Sequence, residues 1–168
     1  MAKIAFILAD LYEDSEFTQP WQRLQEAGHQ TATIGLRRGA EVNGKKGHRT
    51  VTGLAIAEVR ADEFDALVIP GGYSPDKLRV DEGMVTLTRE LVQSGKPVAA
   101  ICHAGWMLAE ADIVRGRRVT SVRNIRTDLV NAGADWVDEE VVVDGNLITS
   151  RTPADLPAFC DALLEQLK

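Results

Sequence analysis

The chain has only two cysteines among 168 residues, Cys102 and Cys160, at positions with no regular spacing. That excludes a disulfide framework and points to a reducing, cytoplasmic setting. Histidine is almost as scarce. His29, His48 and His103 are scattered, and neither Cys-x-x-Cys nor His-Glu-x-x-His occurs, so no metal motif is present. An excess of positive charge is missing too: 19 Lys and Arg stand against 25 Asp and Glu, for a formal net charge of -6. Neither nucleic acid nor an anionic membrane is therefore an expected partner. The small basic groups Arg37-Arg38, Lys45-Lys46 and Arg115-Gly116-Arg117-Arg118 lie among acids and read as solvated turns. No apolar run approaches membrane-spanning length. The apolar start meets Asp10 too soon, and lacks the cleavage pattern, to be a secretory signal. Repeats, low-complexity tracts and interdomain linkers are also lacking, so residues 1–168 read as one domain with a substantial core.

What is present is a soluble globular mix, 45% hydrophobic and 26% charged, arranged as short apolar strands alternating with helical segments. Lys3 to Ala9, Gln30 to Leu36, Asp65 to Ile69 and Pro97 to Ile101 predict strands, the near-continuous apolar ones buried on both faces. Helices are predicted over Ser15 to Ala27, closed by Gly28, and over Glu82 to Ser94, His103 to Ala111 and Asn124 to Ala132. Arg37 to Thr50 predicts a surface loop or hairpin, and Asp144-Gly145 a tight hairpin turn. The last helix is predicted to start with Thr152 as cap and Pro153 in its first turn. Its stripe of Leu156, Phe159, Cys160, Leu163, Leu164 and Leu167 makes Cys160 a core residue. This succession predicts an α/β sandwich with a mainly parallel sheet.

The segment from Pro97 to Leu108 carries the most chemistry. An apolar strand runs into Cys102 and a helix-compatible segment follows at once, which is the layout of a nucleophile elbow. The positive end of the helix dipole favours thiolate there, and His103 next door is a candidate base. Ligands of parallel sheets gather at the carboxyl ends of the strands. Two further features reach that edge: Asp10 to Glu16 after the first strand, and Gly71-Gly72 after Ile69-Pro70. The backbone N–H groups of Gly72 and His103 can stabilise an oxyanion formed when the thiol adds to a carbonyl. Gly71 allows close backbone approach, although Gly71-Gly72 taken alone reads as an ordinary turn. A carboxylate beside a thiolate repels it, so Glu13 or Glu16 helps Cys102 only as a protonated hydrogen-bond donor. Both acids equally suit a solvated first helical turn, and spacing does not separate the two readings.

Several segments together resemble the PfpI/ThiJ superfamily, and within it the PfpI-type intracellular proteases and stress-response deglycases. They are Glu13-Asp14-Ser15-Glu16 with Pro20, Phe64 to Gly72, Gly95 to His103, Asn131 to Asp138, Val141 to Asn146 and Ser150 to Leu156. The resemblance spans essentially the whole chain. It implies a flavodoxin-like three-layer α/β/α sandwich, the elbow cysteine at Cys102, an interacting acid at Glu16 and oxyanion donors at Gly72 and His103. It also implies homo-oligomers, dimers that PfpI-type members build into hexamer-like rings, in which an acid from a neighbouring subunit orients the histidine. The matching position is Asp76, where protease-like members carry the longer Glu. Ala104-Gly105-Trp106 replaces a commoner Gly-Pro-Gln sequence, which makes Trp106 a candidate substrate-lining residue beside Glu13 and Gly71. Val122 stands where relatives can have a site-lining tyrosine.

The resemblance implies a cysteine-dependent stress enzyme acting on reactive carbonyls, of the glyoxalase III or protein deglycase type. Methylglyoxal or its adducts would become an α-hydroxy acid, with Glu16 or His103 shuttling protons and no metal, nucleotide or flavin required. The enzymatic alternative is a peptidase using Cys102, His103 and a neighbour's Asp76, weakened because adjacent elbow side chains rarely point at each other. A glutamine amidotransferase fits less well, since Arg151-Thr152-Pro153 stands where those enzymes place His-x-Glu. The reading from a different class is a redox sensor or holding chaperone built on Cys102.

Overall fold

The computed structural model describes residues 1–168. In chain order, β1 (Lys3–Ile7), α1 (Asp14–Glu26), β2 (Gln30–Gly35), β3 (Glu41–Asn43), β4 (Arg49–Val51) and β5 (Leu54–Ala55) come first. They lead into β6 (Ala66–Ile69), α2 (Ser74–Leu78), α3 (Glu82–Gln93), β7 (Val98–Ile101) and α4 (Gly105–Glu110). β8 (Arg118–Val119), α5 (Arg126–Asn131), β9 (Asp135–Trp136), β10 (Val142–Asp144), β11 (Leu147–Ser150) and α6 (Leu156–Gln166) complete the fold.

Seven strands form the central sheet in the order β10-β11-β7-β6-β1-β2-β5. Every pairing is parallel except the β10–β11 hairpin, whose register of Asp144 opposite Leu147 leaves Gly145-Asn146 as the turn. The two-residue period of the strands divides the core into two layers. Ala5, Ile7, Leu67, Ile69, Val98 and Ala100 face the side covered by α3, α4 and α5. Ile4, Phe6, Ala66, Val68, Ala99 and Ile101 face α1 and α6. Because both faces are covered, these strands are apolar without alternation. The arrangement is the expected flavodoxin-like three-layer sandwich. Phe6, Phe17, Tyr12 and Trp21 interlock edge-to-face on the α1 side, with Phe6 and Phe17 centroids 5.6 Å apart, and fix α1 against β1.

Of the two readings of Arg37 to Thr50, loop or hairpin, the chain forms the hairpin, with Glu41 opposite Val51. Three local expectations change. Thr152 makes no capping bond; instead the Asp155 carboxylate accepts from the Arg151 backbone N–H at 2.9 Å and from its guanidinium. That bond places a 3-10 turn before α6. α2, unforeseen, follows the Gly71-Gly72 turn with Pro75 in its first turn. Lys45 and Lys46 are ion-paired to Glu13. Gly28, by contrast, closes α1 as expected: it has φ 86°, and the His29 N–H returns to the Leu24 carbonyl.

β1 and β6 are neighbours whose following connections leave on opposite sides. The loops after β1, β6 and β7 consequently meet at one edge of the sheet, the switch point of an open parallel sheet.

Candidate active site

β7 ends at Ile101, and Cys102 adopts φ 62°, a left-handed conformation that costs a β-substituted residue energy and persists only where surroundings enforce it. The chain then enters a 3-10 turn, Cys102–Ala104, and α4. This sharp turn overturns the expectation that adjacent elbow side chains diverge: Cys102 Sγ lies 3.4 Å from His103 Nδ1. The backbone N–H groups of His103 and Gly72 lie near enough to the sulfur to favour its charged form. The two expected oxyanion donors thus converge on the thiol.

Gly71 and Gly72 are more than a turn. A side chain at Gly71 would lie 2.6 Å from Glu16 Oε1 and 2.8 Å from Cys102 Cβ, so the acid and the cysteine approach each other across a position only glycine can fill. Gly72 has φ 75°, and a side chain there would lie 2.5 Å from the Leu11 carbonyl oxygen and the Glu13 nitrogen. Hydrogen bonds from Glu13 N–H to Gly71 O at 3.2 Å and from Tyr73 N–H to Leu11 O at 2.8 Å lock the loops after β1 and β6 together.

Glu16, in the first turn of α1, is fully buried. Its Oε1 accepts from Gly71 N–H at 2.9 Å, whereas Oε2 is buried without a partner. Burial, reinforced by the charge of Glu13, pushes the carboxyl up to about 8 against the opposing Gly71 bond and the two lysines. At neutral pH the group is mostly protonated, and the unpartnered oxygen becomes a donor. Pro20, one turn later, has no N–H to give the Glu16 carbonyl. Burial and the Glu16 charge push the Cys102 thiol up to about 12, over the lowering effect of the two N–H groups. This corrects the expected thiolate: desolvation outweighs the dipole of a six-residue helix. Protonation of Glu16 removes its share of that rise. Burial and the Lys45 charge hold the His103 imidazole below its usual value. The resting trio at neutral pH is a thiol, a neutral imidazole and a carboxylic acid.

The β3–β4 turn, which local sequence assigned to solvent, closes the other side. Lys45 Nζ and Lys46 Nζ lie 3.3 and 2.8 Å from the nearly buried Glu13 carboxylate, and Lys45 lies over the Tyr73 ring. The turn is tied down by the Asp14 carboxylate, which accepts from Lys46 and His48 N–H. Tyr12 Oη and His48 Nδ1, 2.6 Å apart, add a second tie. Glu13 is therefore held as a paired anion beside the site, and Glu16 as an acid within it. Asp76 is exposed on α2 and does not touch His103 of its own chain. Trp106 packs on His103 at 5.0 Å between ring centroids. Lys45, Tyr73, Arg79 and Asp128 are further residues around the site. They carried no local signal because each arrives from a separate loop or helix. Cys160 is buried in the α6 stripe, as expected. The chain's clefts lie away from Cys102, the largest, about 650 Å³, between α3 and the segment Ile56–Asp62.

A flavodoxin-like sandwich with a left-handed cysteine between strand and helix, backed by a buried acid, defines a narrow class of α/β proteins. The chain belongs to the DJ-1/PfpI family, whose model matches residues 2–166. It is 54% identical over 159 residues to protein/nucleic acid deglycase 2 of Escherichia coli, covering 94% of this chain and 92% of that one. A Bacillus subtilis relative provisionally named cysteine protease YraA is 46% identical, covering 99% of this chain and 98% of its own. Among solved structures, a two-domain Anabaena variabilis protein with DJ-1/ThiJ/PfpI-like and ferritin-like domains superimposes with a TM-score of 0.98. It is 43% identical, covering 99% of this chain and 48% of that chain.

Proposed function

We propose that this protein is a cysteine-dependent enzyme of the deglycase type, acting on reactive carbonyls such as methylglyoxal or its adducts. The observation that carries this reading is the approach of His103 Nδ1 to Cys102 Sγ at 3.4 Å, with the buried Glu16 acid, raised to about 8, facing the cysteine across Gly71. A carbonyl carbon placed at the sulfur would leave its oxygen near the N–H groups of Gly72 and His103. As Sγ bonds to the aldehyde carbon, neutral His103 takes the thiol proton and Glu16 protonates the oxygen, giving a hemithioacetal. The Glu16 carboxylate then takes the proton from that carbon while the His103 imidazolium protonates the neighbouring carbonyl oxygen, giving an enediol. Glu16 returns its proton to the neighbouring carbon as His103 takes the first carbon's O–H proton, giving the thioester of an α-hydroxy acid. Water hydrolyses the thioester and returns the thiol. The aldehyde carbon is oxidised and its neighbour reduced, so the sum is addition of water with no external redox partner. With amine or thiol adducts, loss of the amine or thiol precedes the same sequence.

Purified protein should consume methylglyoxal or release it from modified amines, and Cys102→Ser should not. Equal turnover by that variant, or none by the wild type, would sink the reading. The 3.4 Å sulfur–imidazole contact keeps peptide hydrolysis as a second reading, with Asp76 of a neighbouring copy as orienter. Cleavage of casein that disappears in Cys102→Ser, without carbonyl turnover, would favour it. A sensor-only role has less support, because the raised thiol leaves little thiolate for oxidation. We further place the protein in the cytoplasm, in keeping with its two free cysteines. It would act there as one domain over 1–168 and as a homo-oligomer, with dimer or hexamer to be decided by light scattering.

A further inference from the structure

His103 has no carboxylate partner in its own chain; what lies against its ring is Trp106. The two residues are three apart across the elbow and the start of α4, a spacing that puts side chains on one helical face. Trp106 is itself fixed at two points. Its Nε1–H donates to Asp128 Oδ2 at 2.9 Å, and the Arg79 guanidinium lies 5.6 Å from its ring centroid. Arg79 is in turn held by Glu110 at 3.0 Å. Gly105 makes the first tie possible. A side chain there would come within 3.1 Å of both Ile125 and Leu129, so α4 lies close enough to α5 for Asp128 to reach the indole.

We infer that Trp106 is a positioning residue: a clamp of Asp128, Arg79 and Trp106 within one chain holds the His103 imidazole at the Cys102 sulfur. The inference deepens the proposed reaction and rests on it for the turnover arm alone. Trp106 acts in two ways. Its face limits rotation of His103, keeping Nδ1 on the sulfur rather than in solvent. Its π cloud, made more negative by the Asp128 carboxylate on Nε1–H, stabilises the imidazolium formed when His103 takes the thiol proton. Other charged groups around the elbow are Glu13 just before α1, Glu16 in its first turn and Lys45 of the β3–β4 turn. Burial and Lys45 oppose a charged imidazole; the Trp106 ring with its Asp128 tie favours it, and the Arg79 cation over that ring offsets part of the gain.

The test is the rate of Cys102 alkylation by iodoacetamide across pH 6 to 10, in a Cys160→Ser background, with kcat and KM for methylglyoxal measured in parallel. Trp106→Ala should slow alkylation at pH 7 and lower kcat, each by about tenfold, with KM within about twofold. Its pH profile should approach that of His103→Ala. Trp106→Phe keeps the ring face and should recover both rates to within about threefold, and Asp128→Asn should fall between. An alkylation profile of Trp106→Ala that superimposes on the parent overturns the clamp. So does a rise in KM alone, which would make Trp106 a substrate contact. If Trp106→Ala loses its cooperative melt, the exposed Asp128→Asn decides, and an unchanged alkylation profile overturns the clamp. The expected alkylation pattern without carbonyl turnover by the wild type would sink the proposed function and leave the clamp standing.

Discussion

The two cysteines share an electrostatic condition and differ in everything around it. Burial raises both thiols, Cys102 to about 12 and Cys160 to about 11. Both are free. Cys160 lies in the middle of a regular helix, packed with Phe159, Leu156 and Leu163 into the apolar layer. Cys102 has a left-handed backbone, two nearby N–H groups that favour its charged form, an imidazole at 3.4 Å and a buried acid across a glycine. A perturbed thiol is therefore no mark of a nucleophile by itself. Proton acceptors and donors around the sulfur make the difference, because they let an uncharged thiol react as its proton leaves.

The largest expected effect breaks the comparison outright. Cys102→Ser should reduce carbonyl turnover by roughly three orders of magnitude or more, while Cys160→Ser stays within about twofold. Comparable losses in both variants would mean that neither surrounding is special. Next, Glu16→Gln keeps the acceptor for Gly71 N–H and removes the transferable proton, so turnover should fall by about 100-fold. The same variant should gain stability relative to the wild type as pH rises. Glu16 has an ordinary value of 4.5 and a folded value of about 8, so between these the folded chain holds a proton that the unfolded chain has lost. Wild-type stability accordingly falls with pH across that window, by at most about 5 kcal/mol, and levels off above it. Denaturant melts at pH 4.5 and pH 8 should show Glu16→Gln gaining on the wild type; equal slopes would contradict the buried acid.

Gly71→Ala sharpens the comparison structurally. The added methyl meets the Glu16 carboxyl, Cys102 Cβ and the Ile101 carbonyl oxygen, an overpacking cost of about 1–3 kcal/mol. Thermal melting should show it, with activity falling further than stability. The smallest effect belongs to Lys45→Ala, on the scale of a partly exposed ion pair, about twofold in rate. The His103 imidazole titration, followed by NMR, should move upward once the cation is gone.

Much of the frame was legible because it rests on local periodicity. β1, β6 and β7 are continuous apolar runs; Gly28 marks a helix end where the chain has it, and Asp144-Gly145 marks the hairpin, whose turn falls one residue later at Gly145-Asn146. Cys102 was legible for a related reason, since strand, turn and helix succeed one another in the twelve residues from Pro97 to Leu108. What sequence left open depends on distance across the fold. Glu13 and Glu16 look alike in one helical turn; only the packing of Lys45 and Lys46 on one, and of Gly71 on the other, separates their charges. The expected thiolate failed because the dipole is a local feature whereas burial is not. The His103 contact could not be read because it turns on the single φ of Cys102. α2 escaped notice as a five-residue helix just behind a glycine pair.

At rest the catalytic trio is uncharged, with Glu16 holding its proton beside the Cys102 thiol. The most direct measurement is the carboxyl-carbon NMR titration of Glu16, assigned by its absence from Glu16→Gln. A midpoint near 8 is the predicted result. A midpoint near the ordinary 4.5 would mean that an anion sits beside the sulfur, and would contradict the proton transfer assigned to this acid.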